Sequence, residues 1–132
     1  MACLAFPLWR RPIRVPSLFQ DRACEVAPFG KHTERAFFGV FDGHGQHGHI
    51  VSQYVATTLP KFVARARDLE TAPAAALSAA FVACNSELAT GGRVDCTFSG
   101  TTAVTVYLDG NQVRFMDTQA AVKIDCMRTV FA

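Results

Sequence analysis

Residues 38 to 45 read Phe-Gly-Val-Phe-Asp-Gly-His-Gly, and the rest of the chain is best interpreted outward from this stretch. Ala36 to Phe41 form a continuous apolar run, which is typical of a strand buried on both faces. The run ends abruptly at Asp42, and the glycines at 43 and 45 permit backbone conformations that other residues resist. The pattern predicts a rigid strand with a carboxylate at its end, followed by a tight polar turn.

An aspartate at the end of a buried strand is well placed to bind a metal ion. The strand would fix the carboxylate of Asp42, and Gly43 lets its own carbonyl oxygen turn toward a cation. Hard ions such as Mg²⁺ and Mn²⁺ prefer oxygen ligands of this kind. His44 would then lie beside a metal-bound water, where its imidazole could protonate a leaving oxygen. The dipeptides Asp-Gly and His-Gly alone also suit a polar turn that binds no metal, so the choice between the two interpretations depends on the surrounding sequence.

The segments around this stretch show strand and helix patterns. Arg22 to Phe29 is a candidate short strand. Apolar residues at intervals of three and four predict a helix from Gly48 to Asp68, in which Pro60 should cause a kink or a break near Leu59.

A second helix should begin at Pro73 and stop at Gly91. Thr101 to Leu108 then suits a strand, and Asp109-Gly110-Asn111 suits a hairpin turn that leads into a partner strand, Gln112 to Met116. Segregated runs of strands and helices are typical of helices packed on an antiparallel sheet, so we expect an α+β fold.

Four elements in the same order resemble the metal-dependent serine/threonine protein phosphatases of type 2C, the PPM family. The strand that ends in Phe41-Asp-Gly-His-Gly45 and the segment Ser99-Gly-Thr-Thr-Ala-Val104 are its specific motifs. Phe19-Gln-Asp-Arg22 looks like the upstream acidic element of the family, and Asp117-Thr118 is a poor match to its GDSR turn. The resemblance covers roughly Leu18 to Thr118.

The resemblance implies a partial α-β-β-α sandwich, truncated to an antiparallel sheet and two helices, and it implies a reaction. Members hydrolyse phosphoserine and phosphothreonine in protein substrates, using two Mg²⁺ or Mn²⁺ ions and no covalent phosphoenzyme. Asp42 would match the catalytic carboxylate that bridges both ions, Gly43 a carbonyl ligand, and Asp21 a carboxylate beside one ion. His44 would match the general acid, and Gln20 falls where many members have a glutamate that contacts metal through water.

Departures from the family pattern predict weak metal binding. Pro16 stands where the family has an arginine that binds substrate phosphate, with Arg14 nearby, and Gln119 replaces the GDSR arginine. The later carboxylates of the family, in DG and DN motifs, have no counterpart up to Ala132. We therefore expect a phosphatase domain that is weakly active or inactive. The alternative is a non-catalytic fragment or pseudophosphatase that acts as a protein-interaction module.

On this interpretation the chain has three parts. Residues 1–17 contain three prolines and an arginine cluster, and we expect them to form a poorly ordered arm. Residues 18–118 would form the N-terminal part of the phosphatase domain, and residues 119–132 a divergent tail.

Composition excludes several other classes. A chain of 132 residues, 50% hydrophobic and 18% charged, suits one globular domain. A net charge of +2 is too small to indicate nucleic-acid or membrane-surface binding, and no stretch approaches the ~20 apolar residues of a membrane span. Five cysteines without a CxxC pair indicate free, packed thiols in a reducing compartment. We therefore expect a cytoplasmic or nuclear protein; its oligomeric state is not set by the sequence.

Two other chemistries compete for the same residues. His44, His47 and His49 with Asp42 suggest zinc, but their spacing matches no common zinc signature, which favours exposed histidines at the start of a helix. Ser99 precedes a strand and has no histidine nearby in the sequence, so it is interpreted as a sheet hydroxyl and not as a nucleophile.

Overall fold

The computed structural model describes residues 19–92 and 94–118, except for the side chains of residues 117 and 118. This part of the chain contains six strands and two helices. They are β1 Arg22–Val26, β2 Arg35–Phe41, β3 Gly43–Gly45, α1 Gly48–Arg65, α2 Pro73–Thr90, β4 Ser99–Thr101, β5 Ala103–Asp109 and β6 Gln112–Thr118. The expected N-terminal arm and C-terminal tail lie outside the described residues.

Four of the strands form one antiparallel sheet in the order β1-β2-β5-β6. The continuous apolar run is β2, an interior strand. Phe37 and Phe41 on its inner face are fully buried, but Val40 on the other face is 59% exposed, so the expectation of burial on both faces is wrong for the described part of the chain. Tyr107 and Met116 extend the same buried face across β5 and β6. Helices and an antiparallel sheet around one core confirm the α+β expectation.

Helix α1 packs on β1 and β2 through a fully buried stripe, Val51, Val55, Leu59 and Val63. The helix continues through Pro60, so the expected break near Leu59 does not occur. A proline inside a helix removes one backbone hydrogen bond. Pro60 is itself buried, however, and packing of the apolar stripe supplies most of the stability of such a helix.

Helix α2 begins at Pro73, as predicted, and lies against α1. Proline is favourable in a first turn because its missing N–H would have had no partner there. The buried face of α2 includes Leu77, Phe81 and Leu88. The Tyr54 hydroxyl donates to the Glu87 carboxylate at 2.7 Å and ties the two helices together.

The predicted strand Thr101 to Leu108 is in fact two strands. β4 ends at Thr101, and β5 begins at Ala103 and pairs with β2. The hairpin turn after β5 is where the sequence predicted it, with Gly110 at a φ of 57°, a left-handed conformation that glycine adopts without strain.

The strand is divided because β4 pairs with the Asp-Gly-His-Gly loop instead of joining the main sheet. Residues 43, 44 and 45 of β3 oppose residues 101, 100 and 99 of β4. The Thr102 N–H donates to the Asp42 carbonyl at 2.8 Å, and the Asp42 N–H donates to Thr102 Oγ1 at 3.2 Å. The His47 N–H donates to Ser99 Oγ at 2.9 Å. The two specific sequence motifs are therefore bonded directly to each other.

The helices cover one face of the sheet, and the other face is apolar and open in the described part of the chain. Val40, Val104, Val113 and Phe115 on that face are 59%, 46%, 52% and 65% exposed. Such a layer corresponds to one half of the expected sandwich. Among the described residues, no helix combines the length and the apolar character that crossing a bilayer requires.

We predict that Ser99→Ala lowers the free energy of unfolding by about 1 kcal/mol, because the partly buried His47 N–H loses its acceptor. Urea denaturation of the variant and of the unmodified chain measures the difference in the free energy of unfolding. Ser86→Ala, at an exposed serine of α2, is the matched control and should change stability by less than about 0.5 kcal/mol. Equal effects of the two substitutions would contradict the bond.

Candidate functional site

Asp21 and Asp42 lie at the same end of the sheet. Arg22 pairs with Phe41 at the end of the antiparallel β1–β2 ladder, so each aspartate is the next residue beyond that pair. Both aspartates are exposed. The structure therefore brings together the backbones of Asp21 and Asp42, the two carboxylates predicted from the sequence. Their role as metal ligands stays a prediction.

The turn after Asp42 is built so closely that two of its residues must be glycine. A Cβ at Gly43 would overlap the Gly48 carbonyl and come within 2.7 Å of the Gln20 carbonyl oxygen. A Cβ at Gly45 would overlap the Phe98 carbonyl, and the φ of 84° at Gly45 is in the left-handed region. The glycines thus allow the loop to pack against the segment before β1, against α1 and against the segment before β4.

Gln20 is a site residue whose contacts the sequence did not predict. With its amide nitrogen facing the loop, the side chain donates to the carbonyl oxygens of Gly43 at 3.2 Å and Gly45 at 3.1 Å. The Ser52 hydroxyl donates to the backbone carbonyl of Gln20. A Cβ at Gly48 would overlap the Gln20 amide, so this glycine leaves the space that the amide fills. The closely spaced glycines were the available signal, but they do not identify their partner.

His44 lies in the middle of β3, opposite Gly100, and its side chain is exposed. It directly follows Gly43, and its role as a general acid stays a prediction. His47 has a different task, since its carbonyl accepts the N–H groups of Ile50 and Val51 in the first turn of α1.

The donor set at this end of the sheet fits a single hard cation better than two. Asp21 and Asp42 would contribute two carboxylates and Gly43 would contribute a carbonyl, all oxygen donors of the kind that Mg²⁺ and Mn²⁺ prefer. Within residues 19–92 and 94–118, no three histidine, cysteine or acidic side chains are grouped so that they could hold an ion. Two divalent ions would therefore keep about half of their charge uncompensated by these carboxylates.

The Ser99 hydroxyl and the thiols of Cys24 and Cys84 have packing or hydrogen-bonding roles. Ser99 is 6% exposed and its Oγ accepts from the His47 N–H, which suits a sheet hydroxyl. Burial raises the pKa of Cys24 and of Cys84 to about 12, so both thiols stay protonated and weakly nucleophilic at neutral pH. Cys24, Cys84 and Cys96 are thiols and not disulfides, as predicted, while Cys3 and Cys126 lie outside the described residues.

Comparisons with known proteins agree with this geometry. The family model described as protein phosphatase 2C matches residues 9–122. The chain is 41% identical over 100 residues to a rice (Oryza sativa subsp. japonica) protein named probable protein phosphatase 2C 64, a match that covers 71% of this chain and 23% of the rice protein. It is 34% identical over 94 residues to probable protein phosphatase 2C 35 of Arabidopsis thaliana, covering 71% of this chain and 27% of that protein. The matched part is thus about a quarter of the length of these relatives.

Solved structures share the fold at low sequence identity. A bacterial serine phosphatase superposes with a TM-score of 0.61 at 16% identity, over 86% of this chain and 55% of the other. A sex-determining protein of C. elegans superposes with a TM-score of 0.59 at 22% identity, over 86% of this chain and 30% of the other. The sheet with its two helices is therefore part of the expected sandwich, and with the family model and the plant relatives we conclude that the chain belongs to the protein phosphatase 2C family.

Proposed function

We propose that this chain forms the N-terminal part of a PPM-type serine/threonine phosphatase domain and contributes the corner of its metal site that holds Asp21 and Asp42. The substrate class is phosphoserine and phosphothreonine in proteins. The observation that carries the proposal is the placement of both aspartates at one end of the sheet, beside a loop fixed by its bonds to β4. We place the protein in the cytoplasm or nucleus, with neither nucleic acid nor membrane as a partner.

The proposed chemistry assigns a task to each residue. A bound Mg²⁺ or Mn²⁺ would polarise a phosphoryl oxygen and favour ionisation of a water. Asp42, Asp21 and the Gly43 carbonyl would bind the cation. His44 is the residue after Gly43, and its side chain is exposed. Its imidazole would hold the proton that the leaving serine or threonine oxygen takes up.

We further propose that the chain as given is weakly active or inactive. Two carboxylates compensate only part of the charge of a two-ion centre. Arg22, the arginine next to Asp21, is also engaged within the protein. Its guanidinium donates to the carbonyls of Phe19 and Asp21 at 2.7 Å each and to the Gln53 side chain at 2.9 Å. These bonds compete with any phosphate for the same donors.

We predict that Asp42→Asn weakens Mn²⁺ binding by at least about tenfold, because a ligand carboxylate is lost and even indirect partners of a metal site contribute that much. Isothermal titration with Mn²⁺ measures the dissociation constant.

Asp68→Asn, at an exposed aspartate between the helices, removes the same charge and is the control that should bind as the unmodified chain does. Identical affinities for the unmodified chain and Asp42→Asn would refute the metal site.

We predict that the purified chain hydrolyses a phosphothreonine peptide at a rate close to the background with Mn²⁺ present, for the reasons of charge and arginine engagement given above. Phosphate release measures the rate. Robust turnover that Asp42→Ala abolishes and Asp68→Ala preserves would show that the chain is an active phosphatase and would overturn this part of the proposal.

The open face of the sheet favours a second function, that of a non-catalytic interaction module. Contiguous apolar surface of this kind is rare on monomeric soluble proteins and marks interaction sites. Val40 and Val104 lie on adjacent strands of this face, and Phe115 lies on β6 at its edge. A protein partner that covers this face would bury apolar side chains that the folded sheet already presents together.

We predict that the double substitution Val104→Thr and Phe115→Ser reduces the fluorescence of the apolar dye ANS about twofold or more, because the dye binds exposed apolar surface of this kind. The free energy of unfolding should change by less than about 0.5 kcal/mol for each exposed site. Val82→Ser, on an α2 residue that is 60% exposed, is the control. An equal loss of fluorescence in the control would show that the sheet face binds the dye no better than an exposed apolar residue of α2.

A further inference from the structure

The carbonyl oxygens of Gly43 and Gly45 converge on one side chain, the amide of Gln20. Two carbonyl oxygens that face the same point repel each other unless a donor or a cation lies between them. The amide nitrogen carries two hydrogens, so one group can satisfy both oxygens at once. A carboxylate in the same place has no hydrogen to donate and would need a cation to bridge it to the carbonyls.

The Gln20 side chain is also held where it can do this. The backbone carbonyl of Gln20 accepts from Ser52 in α1, and Gly48, with no side chain, leaves room for the amide. Gln20 therefore connects three parts of the fold, namely the segment before β1, the β3 loop and the first turns of α1. Its side chain is only partly exposed, which strengthens hydrogen bonds relative to those in open water.

We propose that Gln20 is a positioning residue that holds the Asp-Gly-His-Gly loop in its folded shape without a metal ion. The amide supplies the two positive hydrogens that a carboxylate could replace only by recruiting a cation. The inference rests on the proposed function solely where it treats Gly43 as a metal ligand. The clamp itself requires only the contacts of the Gln20 amide.

Hydrogen exchange in EDTA tests the clamp without metal. The readout is the protection of the Asp42 and His47 amides, which are bonded to Thr102 and Ser99. We expect Gln20→Glu and Gln20→Met each to accelerate their exchange about tenfold, the effect of losing one to two net hydrogen bonds. Gln112→Glu and Gln112→Met, at an exposed glutamine of β6 at the opposite end of the sheet, are the matched controls and should leave both amides protected.

Glutamate has the shape of glutamine, so Gln20→Glu separates donation from packing. If Gln20→Glu keeps the protection of the unmodified chain in EDTA, residue 20 acts by its shape and the proposal is wrong. The proposal is equally wrong if the unmodified chain needs Mn²⁺ for protection. If a variant fails to fold, the Gln20 side-chain N–H signals of the unmodified chain decide by NMR. Exchange about tenfold slower than that of a free glutamine amide supports the clamp, and exchange at the free rate overturns it.

Mn²⁺ added to the same samples separates this proposal from the proposed function. We expect Mn²⁺ to restore protection in Gln20→Glu, where a cation can bridge the new carboxylate and the carbonyls, and not in Gln20→Met. If both variants lose protection in EDTA and Mn²⁺ restores neither, the clamp stands and the metal site fails. If Mn²⁺ protects Gln20→Met as well as Gln20→Glu, the carboxylate is not the group that recruits the ion, and the comparison of amide with carboxylate is wrong.

Discussion

The structure depends on the hydrogen bonds that join β3 to β4. Asp42 and Thr102 bond through both of their backbone N–H groups, and Ser99 accepts the N–H at the start of α1. These contacts fix the residue after β2, the loop beyond it and the beginning of the helix in one arrangement. Without them, Asp42 would follow a well-ordered strand but lead into an unsupported turn. Only the pairing of β1 with β2 would then hold Asp42 near Asp21.

Much of the fold was predictable because its signals are local. The apolar run of β2, the proline that opens α2 and the Asp-Gly turn before β6 each state their structure within a few residues. The aspartate pair was also predictable, since a hairpin of two strands brings the residue before one strand beside the residue after the other. Here local pattern and tertiary packing favour the same structure, which is common in natural sequences.

The features that escaped prediction all depend on distant partners. Thr102 divides a β-prone segment because it bonds to Asp42, and nothing in its own neighbourhood says so. Pro60 stays inside α1 because the helix face around it is buried, which outweighs the lost backbone bond. The role of Gln20 depends on the direction of two backbone carbonyl groups. Residue types alone do not predict the direction of carbonyl groups in a glycine turn.

The β3–β4 contacts also bear on the order in which the molecule assembles. The bonded residues are 52 and 60 positions apart along the chain, with both helices between them. Closing so long a loop is entropically costly, and contacts of this range slow folding. The helices and the hairpins can form early from nearby residues, whereas the corner with the paired aspartates can be completed only when the ends of this long loop meet. A nascent chain would therefore acquire this corner late, once the segment through residue 102 has been synthesised.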